Sequence, residues 1–503
     1  MFIRKKTNPN ANISIQVVEK RSGKYVILKN FGVAKSVLHL DTLLHQAEGW
    51  IKNQSGLVEL DFHQEQKLFE QVFDSIQSLK LIGLELVIGR IFDSIGFNKI
   101  SDDIFRYLCL YRVSFPFSKL KTTEYLFRYH NIYWDEDKIY RYLDKLYTHQ
   151  KEIVQQISYE HTLALLGGQI QVVFYDVTTL HFEIDDEDDL RKTGFSKAGK
   201  HQNPQIVLGL LISKHGYPLA YDIFEGNKFE GHTLLTVIDT FCKKYNLIKF
   251  TVIADAGLLS TENIDMLISS GYEFIIGARI KNEGRELQKK ILSTTFKDGE
   301  SKVFKKNKTT RLIVSYAQKR AVKDNHNRER GLKKLEKQLG RGRLTKNHIN
   351  NRGYNKYLKI EGTAEISIDY EKYKTDARWD GLKGYVTNSQ LSKEAIIENY
   401  KQLWQIEKAF RVSKTDLKIR PVYHRLPRRI EAHICITFAA YKLYKELERI
   451  LQAKKATVSA KKAIEIAMNI FEITIKSPIT NTAVSKTLLL TEEQKDLAKI
   501  LDF

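Results

Sequence analysis

Ile170-Gln-Val-Val-Phe-Tyr175 is short, β-branched and aromatic, the mark of a buried strand, and it runs directly into Asp176 and Val177-Thr-Thr179. Downstream, Ile206 to Ser213 and Pro218 to Phe224 read as two further strands, with Gly216 between them as a turn residue. A helical stretch, Thr233 to Tyr245, then precedes the strand Phe250 to Ala254, a helix near Thr261 to Ser269 and the strand Tyr272 to Ala278. Upstream, from Leu38 to Ile157, the apolar period lengthens to three and four, as in Leu84, Val87, Ile91 and in Tyr140, Leu143, Leu146, which predicts helices. Two of these, Lys119 to Phe127 and Asp135 to Tyr147, flank a turn and carry Lys121, Arg128, Lys138 and Arg141. They lack a diagnostic residue for helix-turn-helix recognition and read as ordinary packed helices. Residues 11 to 33 alternate as a hairpin around Gly23, which predicts a small N-terminal sheet.

The order strand, strand, strand, helix, strand, helix, strand predicts an α/β fold, one mixed sheet with helices against it, in the order of a ribonuclease-H-like core. In such a sheet the first and fourth strands are neighbours. Asp176, which ends the first, and Asp255, which ends the fourth in Ala254-Asp-Ala-Gly257, then fall at one spot beyond strand ends, where open sheets bind ligands. Two adjacent carboxylates repel and call for a cation between them. The third ligand is expected from a helix that starts at the N-cap Ser392 and runs past Glu407 to Lys414. Tyr400, Glu407 and Lys414 are spaced by seven, and at about 100° per residue each step returns within roughly 20° of the same face, giving a row about 21 Å long. A heptad-like surface would show the same spacing.

Other acids compete for the role. Glu183, Asp185, Asp186, Glu187, Asp188 and Asp189 form a denser run, but without calcium-loop spacing it reads as a solvated loop, and Glu225 and Glu230 lie near a strand end. The histidines, among them His201, His232 and His433, form no zinc-binding array, and no Gly-x-x-x-x-Gly-Lys-Ser/Thr loop is present, so neither zinc hydrolysis nor a nucleotide cofactor is expected.

The 503 residues carry 81 Lys plus Arg against 60 Asp plus Glu, a net charge of +21. Ser301 to Ile360 alone holds 19 Lys or Arg and three acids, Asp324, Glu329 and Glu336, so this block supplies +16 of the total. Such density attracts polyanions, nucleic acid above all, although a solvated basic loop has the same composition. Cys109, Cys242 and Cys435 are far apart, which excludes a disulfide framework and suits a reducing cytoplasm. No apolar run is long enough to span a bilayer, and the N-terminus lacks the apolar core of a signal peptide, so no membrane partner is expected.

Taken together, these residues resemble the DDE transposases of bacterial insertion sequences, in the group with a Tyr-Arg-Glu-Lys signature. The signature is Tyr, two residues, Arg, three residues, Glu, six residues, Lys; here it reads Tyr400, Leu403, Glu407, Lys414, with Leu403 in place of the arginine. The resemblance extends to Tyr175-Asp-Val-Thr-Thr179, to Gly194-Phe-Ser-Lys through Gly199-Lys-His-Gln, to Phe224-Glu-Gly-Asn227 with Gly231-His-Thr233, to Ala254-Asp-Ala-Gly257 and to Arg429-Ile-Glu-Ala-His433. It implies that Asp176, Asp255 and Glu407 are the catalytic triad and hold two magnesium ions, with manganese able to substitute. It further implies that Tyr400 and Lys414 contact phosphates of the transposon end and that Trp404 lies on the same DNA-facing helix. Arg411, one helical turn after Glu407, is the candidate to replace the missing arginine.

The implied activity is cleavage of double-stranded DNA at inverted-repeat transposon ends and transfer of the 3′-hydroxyl into target DNA, in a cut-and-paste transposition by a homodimer on DNA. The setting implied is the bacterial cytoplasm, at the nucleoid. A structure-specific nuclease of the same fold and a catalytically silent DNA-binding derivative are the competing readings. The expected organisation is a small sheet and helical DNA-binding region over 1–160, a first core segment over 165–280, a strand-rich basic insertion over 281–390, a second core segment with Glu407 over 391–452, and a helical tail over 453–503.

Overall fold

The computed structural model describes the chain except for residues 10–11, 35, 55–63, 185, 196–198, 200–201, 230–232, 248–249, 259, 346–347, 351–352, 362–364 and 478–479. Glu230, His201, His232 and Asp185, with parts of the glycine-containing motifs quoted above, lie outside the described residues.

The chain divides into two compact units, one formed by Met1–Ser78 with Thr474–Ser485, the other by Leu79–Ile473 with Lys486–Phe503. In the first, strands Phe2–Thr7, Ile13–Arg21 and Lys24–Val33 form an antiparallel meander. Ser22 and Gly23 both take positive φ, 47° and 84°, the conformation a two-residue hairpin loop needs to match strand twist. Ile15, Val17, Leu43 and Ala47 form its core, the last two from helix Val37–Gln54.

The second unit is built on eight strands: β1 (Val172–His181), β2 (Gln205–Ser213), β3 (Pro218–Glu225), β4 (Thr251–Ala254), β5 (Glu273–Ala278), β6 (Ser301–Lys305), β7 (Arg311–Tyr316) and β8 (Leu382–Thr387). They lie in the order β6-β7-β8-β5-β4-β1-β2-β3. β1, β4 and β5 are parallel, and the remaining neighbours pair antiparallel. The sheet is thus mixed, and three strands from the 281–390 segment extend its edge rather than standing apart from it. Helix α1 (Gln318–Leu339) carries eight of that segment's Lys and Arg residues, and its Leu335 packs with Tyr357, Leu358 and Ile368 in a small core of its own.

Both faces of the sheet are covered, which is why every residue of β2 is buried and its sequence reads as a continuous apolar run. Alternate residues divide between two cores: Phe174, Leu180, Leu208 and Ile253 face one, Val173, Tyr175, Val207 and Val252 the other. Helix α4 (Pro427–Ala453) runs through the first core and packs against helices Asp103–Ser114, Glu136–Lys145 and Lys151–Leu165, so these N-terminal helices share a unit with the sheet. The sequence predicted one apolar face for α4. From Ala432 to Tyr444 it is buried on all sides, as a helix surrounded by others must be.

Two further expectations change. The helix expected from Ser392 to Lys414 is divided into α2 (Lys393–Lys401) and α3 (Trp404–Thr415). Between them Gln402, Leu403, Gln405 and Ile406 donate three residues back, a tighter winding. Tyr400, Leu403, Ile406 and Ala409, spaced by three and all buried, fit that winding because three residues per turn keeps them on one face. The segment after Ala453, expected to be helical, also carries strands Phe471–Lys476 and Ala483–Leu488; Phe471-Glu-Ile-Thr-Ile-Lys476 has the alternation of two that a strand demands. Among the described residues no helix is long and apolar enough to cross a membrane.

Candidate active site

The register of β1 and β4 sets the site. Val172 lies opposite Thr251, Val173 opposite Val252 and Phe174 opposite Ile253, so two residues further on Asp176 is level with Asp255. Asp176 does not end β1 as expected but lies in its middle, because Val177 to His181 go on pairing with β2. Neighbouring strands are about 4.8 Å apart, and both aspartates fall on the face shared by Phe174 and Ile253. The row continues. Ala254 pairs with Ile276, which brings Asp255 level with Gly277 of β5, and Gly277 pairs with Tyr385 of β8.

Each aspartate is tied to its own backbone. Asp176 Oδ1 accepts from Val177 N at 2.8 Å, and Asp255 Oδ1 accepts from Gly257 N at 2.7 Å in the short turn Ala256–Leu258. A Cβ on Gly257 would stand 2.9 Å from that same Oδ1, so the glycine keeps the carboxylate's position open.

Above this row lie α2 and α3. Tyr400, at the end of α2, occupies the space left by Gly277: a Cβ there would be 2.3 Å from the tyrosine hydroxyl. Its ring meets Tyr385 edge-on at 4.9 Å, and Lys383 Nζ sits 4.6 Å above the ring centre. Burial, followed by the charge of Asp255 and then by Tyr385 and Glu407, pushes the Tyr400 phenol well above its ordinary range. Burial and the nearby Arg320 hold the Lys383 ammonium below its ordinary range, opposed by Glu407. Glu407 thus acts electrostatically on the same two side chains that line the aspartate row.

Glu407 stands in the first turn of α3, where a helix N-terminus favours negative charge. Seven residues on, about 10 Å along the axis, Lys414 donates to Thr178 Oγ1, on the same strand face as Asp176. This contact and the burial of Ile406, Ala409 and Phe410 fix α3 across β1. Among the described residues, neither Asp255 nor Glu407 has an ion-pair partner. Equally, no three His, Cys, Asp or Glu side chains among the described residues are gathered closely enough to hold a metal ion. Asp176 and Asp255 are brought side by side and Glu407 is placed over the same face, but the three carboxylates do not close into one coordination cluster. Their hard oxygen donors are the kind that suits magnesium.

The four expected DNA contacts divide into two pairs. Trp404, 48% exposed, and the exposed Arg411 face solvent, whereas Tyr400 is buried and Lys414 is engaged with Thr178. Leu403 is buried in the main core beside Tyr400 and Ile406, a position where an arginine would have to leave water. Lys383, Tyr385, Arg320 and Gly277 were not singled out from the sequence. The available signal was Lys383 in the strand ending Tyr385-Val-Thr387, on the same face as Tyr385.

The dense acidic run serves its loop. Asp188 accepts from Leu190 N and Arg191 N and pairs with Arg191 Nε at 2.8 Å, Glu187 accepts from Thr193 N, and Glu183 lies 3.4 Å from His181. His433 is buried between Arg112 and the Ile419 carbonyl.

Comparison with known proteins bears on this arrangement. Curated protein sequences give no match. Solved structures that align with the chain include the piggyBac transposase synaptic complex with hairpin DNA, at 10% identity and a TM-score of 0.38 over 77% of this chain and 79% of that one. The Mos1 transposase paired-end complex with left transposon end aligns at 10% identity and a TM-score of 0.16, over 31% and 53%. Residues 167–443, which contain the aspartate row and the helices above it, match the family model of the transposase DDE domain, and the chain belongs to that family.

Proposed function

We propose that this transposase cuts DNA at the ends of a mobile element and joins the freed 3′-hydroxyl to target DNA, with Asp176, Asp255 and Glu407 as its acidic triad. The observation that carries the reading is the shared register of Asp176 and Asp255 on adjacent parallel strands, beneath the helix that bears Glu407, inside a DDE domain. The order β3-β2-β1-β4-β5, antiparallel and then parallel, supports a ribonuclease-H-like core.

Two divalent ions held by these carboxylates, magnesium by the hardness of the donors, would supply charge stabilisation at the scissile phosphate and its attacking and leaving oxygens. The protein's own part is to hold and position. Backbone N–H groups of Val177 and Gly257 fix one oxygen of each aspartate. Tyr400, filling the space over Gly277, sets the height of the helices above the sheet. Trp404, Arg411 and the basic helix α1 meet the DNA backbone. In the first step water displaces the 3′ oxygen of one strand, leaving a 5′-phosphate and a 3′-hydroxyl. In the second that hydroxyl displaces a 3′ oxygen from a target phosphodiester, so the number of phosphodiester bonds is conserved. Joining both ends requires two copies of the chain on DNA, acting at the nucleoid of a bacterial cytoplasm.

Incubation with magnesium, a donor plasmid carrying the element's flanking repeats and a target plasmid tests the reading. Joined products are expected, and Asp176→Asn, Asp255→Asn and Glu407→Gln should each abolish them. Cuts without joining would make the protein a nuclease, and binding without cuts a silent derivative. Retention of wild-type cleavage by all three variants would refute the triad.

A further inference from the structure

A cavity of about 610 Å³ lies on the helical side of the larger unit, lined by Arg112, the start of helix Lys119–His130, Tyr140 and the segment Lys418 to His424. Its volume falls in the range of ligand sites, roughly 300–1,000 Å³. Five cations line it, Arg112, Lys119, Lys121, Lys418 and Arg420, against one acid, Glu136. Lys119 is 5% exposed and Arg112 6%, yet neither is paired with a carboxylate among the described residues. The Lys119 side chain has no hydrogen-bond partner among them, and that of Arg112 reaches only His433 Nδ1, at 3.5 Å. An isolated cation held out of water is costly unless an anion joins it.

The surroundings select the anion. Ser118 caps the twelve-residue helix through Lys121 N, and its first turn contains no acid, so the free N–H groups and the helix dipole add to the positive field. Arg112 and Arg420 present planar forks suited to phosphate. Phe117 and Tyr423, 42% and 75% exposed, stand at the mouth, and Lys418 Nζ lies 5.0 Å over the Phe117 ring. His424, held down to about 3, and His433, well below its ordinary range, are kept neutral by burial and by Arg112 and Lys119. Burial likewise lowers the Lys119 ammonium well below its usual range, the response of a cation that lacks a counter-charge.

We propose that this cavity is a phosphate site, and that it seats a backbone phosphate of the bound DNA away from the carboxylate row. Val422, within the lining segment, bridges to Phe182, six residues along the same strand line from Asp176; at about 3.3 Å per residue the two places are roughly 20 Å apart. The assignment to DNA rests on the function proposed above, while the phosphate chemistry stands on the cavity alone.

The full-length protein and its Lys119→Met, Lys119→Arg and Arg420→Gln variants would be titrated with inorganic phosphate by calorimetry and with a labelled duplex by anisotropy over a range of salt. Lys119→Met and Arg420→Gln are expected to weaken phosphate binding about tenfold and to lower the salt slope of duplex binding by about one, with Lys119→Arg close to wild type. Unchanged phosphate affinity in both neutral variants, or no phosphate binding by the wild type, would overturn the site. Lost phosphate binding with unchanged duplex affinity and slope would overturn the DNA assignment and leave a site for free phosphate. Phosphate binding by a wild type that binds no duplex would refute the proposed function and support the cavity. Should Lys119→Met fail to fold, Arg420→Gln, at the half-buried rim, decides.

Discussion

Gly277→Ala is the smallest change that tests how the site is held together. The added methyl would stand 2.3 Å from Tyr400 Oη, while ordinary contact begins at 3.4 Å, so something must move by about 1.1 Å. The phenol has little room, since its ring is confined by Tyr385 and Lys383, and the methyl itself stands 3.2 Å from Ala256 N on the other side. The displacement therefore passes to Tyr400 and the turn that leads into α3. Overpacking of this kind costs about 1–3 kcal/mol, offset by roughly 0.5–1 kcal/mol gained when alanine replaces glycine in an extended segment. A net loss of about 1–2 kcal/mol is expected. Because Glu407 follows Tyr400 by two turns, a shift near 1 Å at the carboxylates should lower strand cleavage by about 10²-fold.

A double-mutant cycle isolates the cause. Tyr400→Phe removes the clashing oxygen and leaves Cζ at 3.2 Å as the nearest side-chain atom, so the tight contact is largely relieved. Urea unfolding and single-turnover cleavage would be measured for the wild type, the two single variants and the pair. Gly277→Ala should cost at least about 1 kcal/mol less when combined with Tyr400→Phe than alone, well above the roughly 0.5 kcal/mol within which independent sites add. Additivity would refute the argument that Tyr400 uses the space over Gly277 to set the helix.

Other expectations follow from single contacts. Burial holds Lys442 down to about 7, so between about pH 7 and 10.5 the unfolded chain binds the extra proton and stability should rise with pH, by up to about 1.4 kcal/mol per unit; Lys442→Met should flatten that rise in urea titrations. Asp144, held down to about 2 by Arg429, with Arg428 assisting, contributes stability that is present above the ordinary aspartate range and lost as pH falls through about 2. Asp144→Asn should cost about 1 kcal/mol at neutral pH and little at pH 2. Leu403→Arg, which would complete the Tyr-Arg-Glu-Lys spacing, should destabilise by about 2–4 kcal/mol rather than tighten DNA binding, because position 403 is buried in the main core; a gain in duplex affinity without loss of stability would contradict this. Lys414→Met should raise cleavage losses more than stability losses, since it frees the far end of α3 from Thr178 while leaving the apolar face of the helix intact.

The strands β1 to β5 were legible because local pattern and tertiary role agree: mainly apolar stretches of four to ten residues are what a sheet covered on both faces requires. Asp255 follows from strand order as a strand-end acid, whereas Asp176 lies mid-strand, since Val177 to His181 continue the pairing with β2. Glu407 was reached through a spacing of seven, yet the helix that carries it is not the uninterrupted one that spacing implies. The three-residue winding at Gln402–Leu403 is written in Tyr400, Leu403, Ile406 and Ala409, but three and four alternate in ordinary helices too, and only packing decides between them. Lys383, Arg320 and the buried cations Arg112 and Lys119 were illegible individually. A lysine in a polar stretch carries no mark of whether it will be solvated, and the fold alone buries Lys119 in a cavity wall, 5% exposed.

The row Asp176, Asp255, Gly277, Tyr385 also explains why a missing side chain matters as much as the acids. Four adjacent strands offer four positions on one level, and a side chain larger than glycine at the third would lift the helices away from the first two. Two acids occupy the parallel centre, where strand geometry is most constrained, and the third comes from a helix whose height depends on an aromatic ring resting in the gap. Tyr400, resting in the gap over Gly277, therefore bears on how the helix that carries Glu407 sits above the aspartate row.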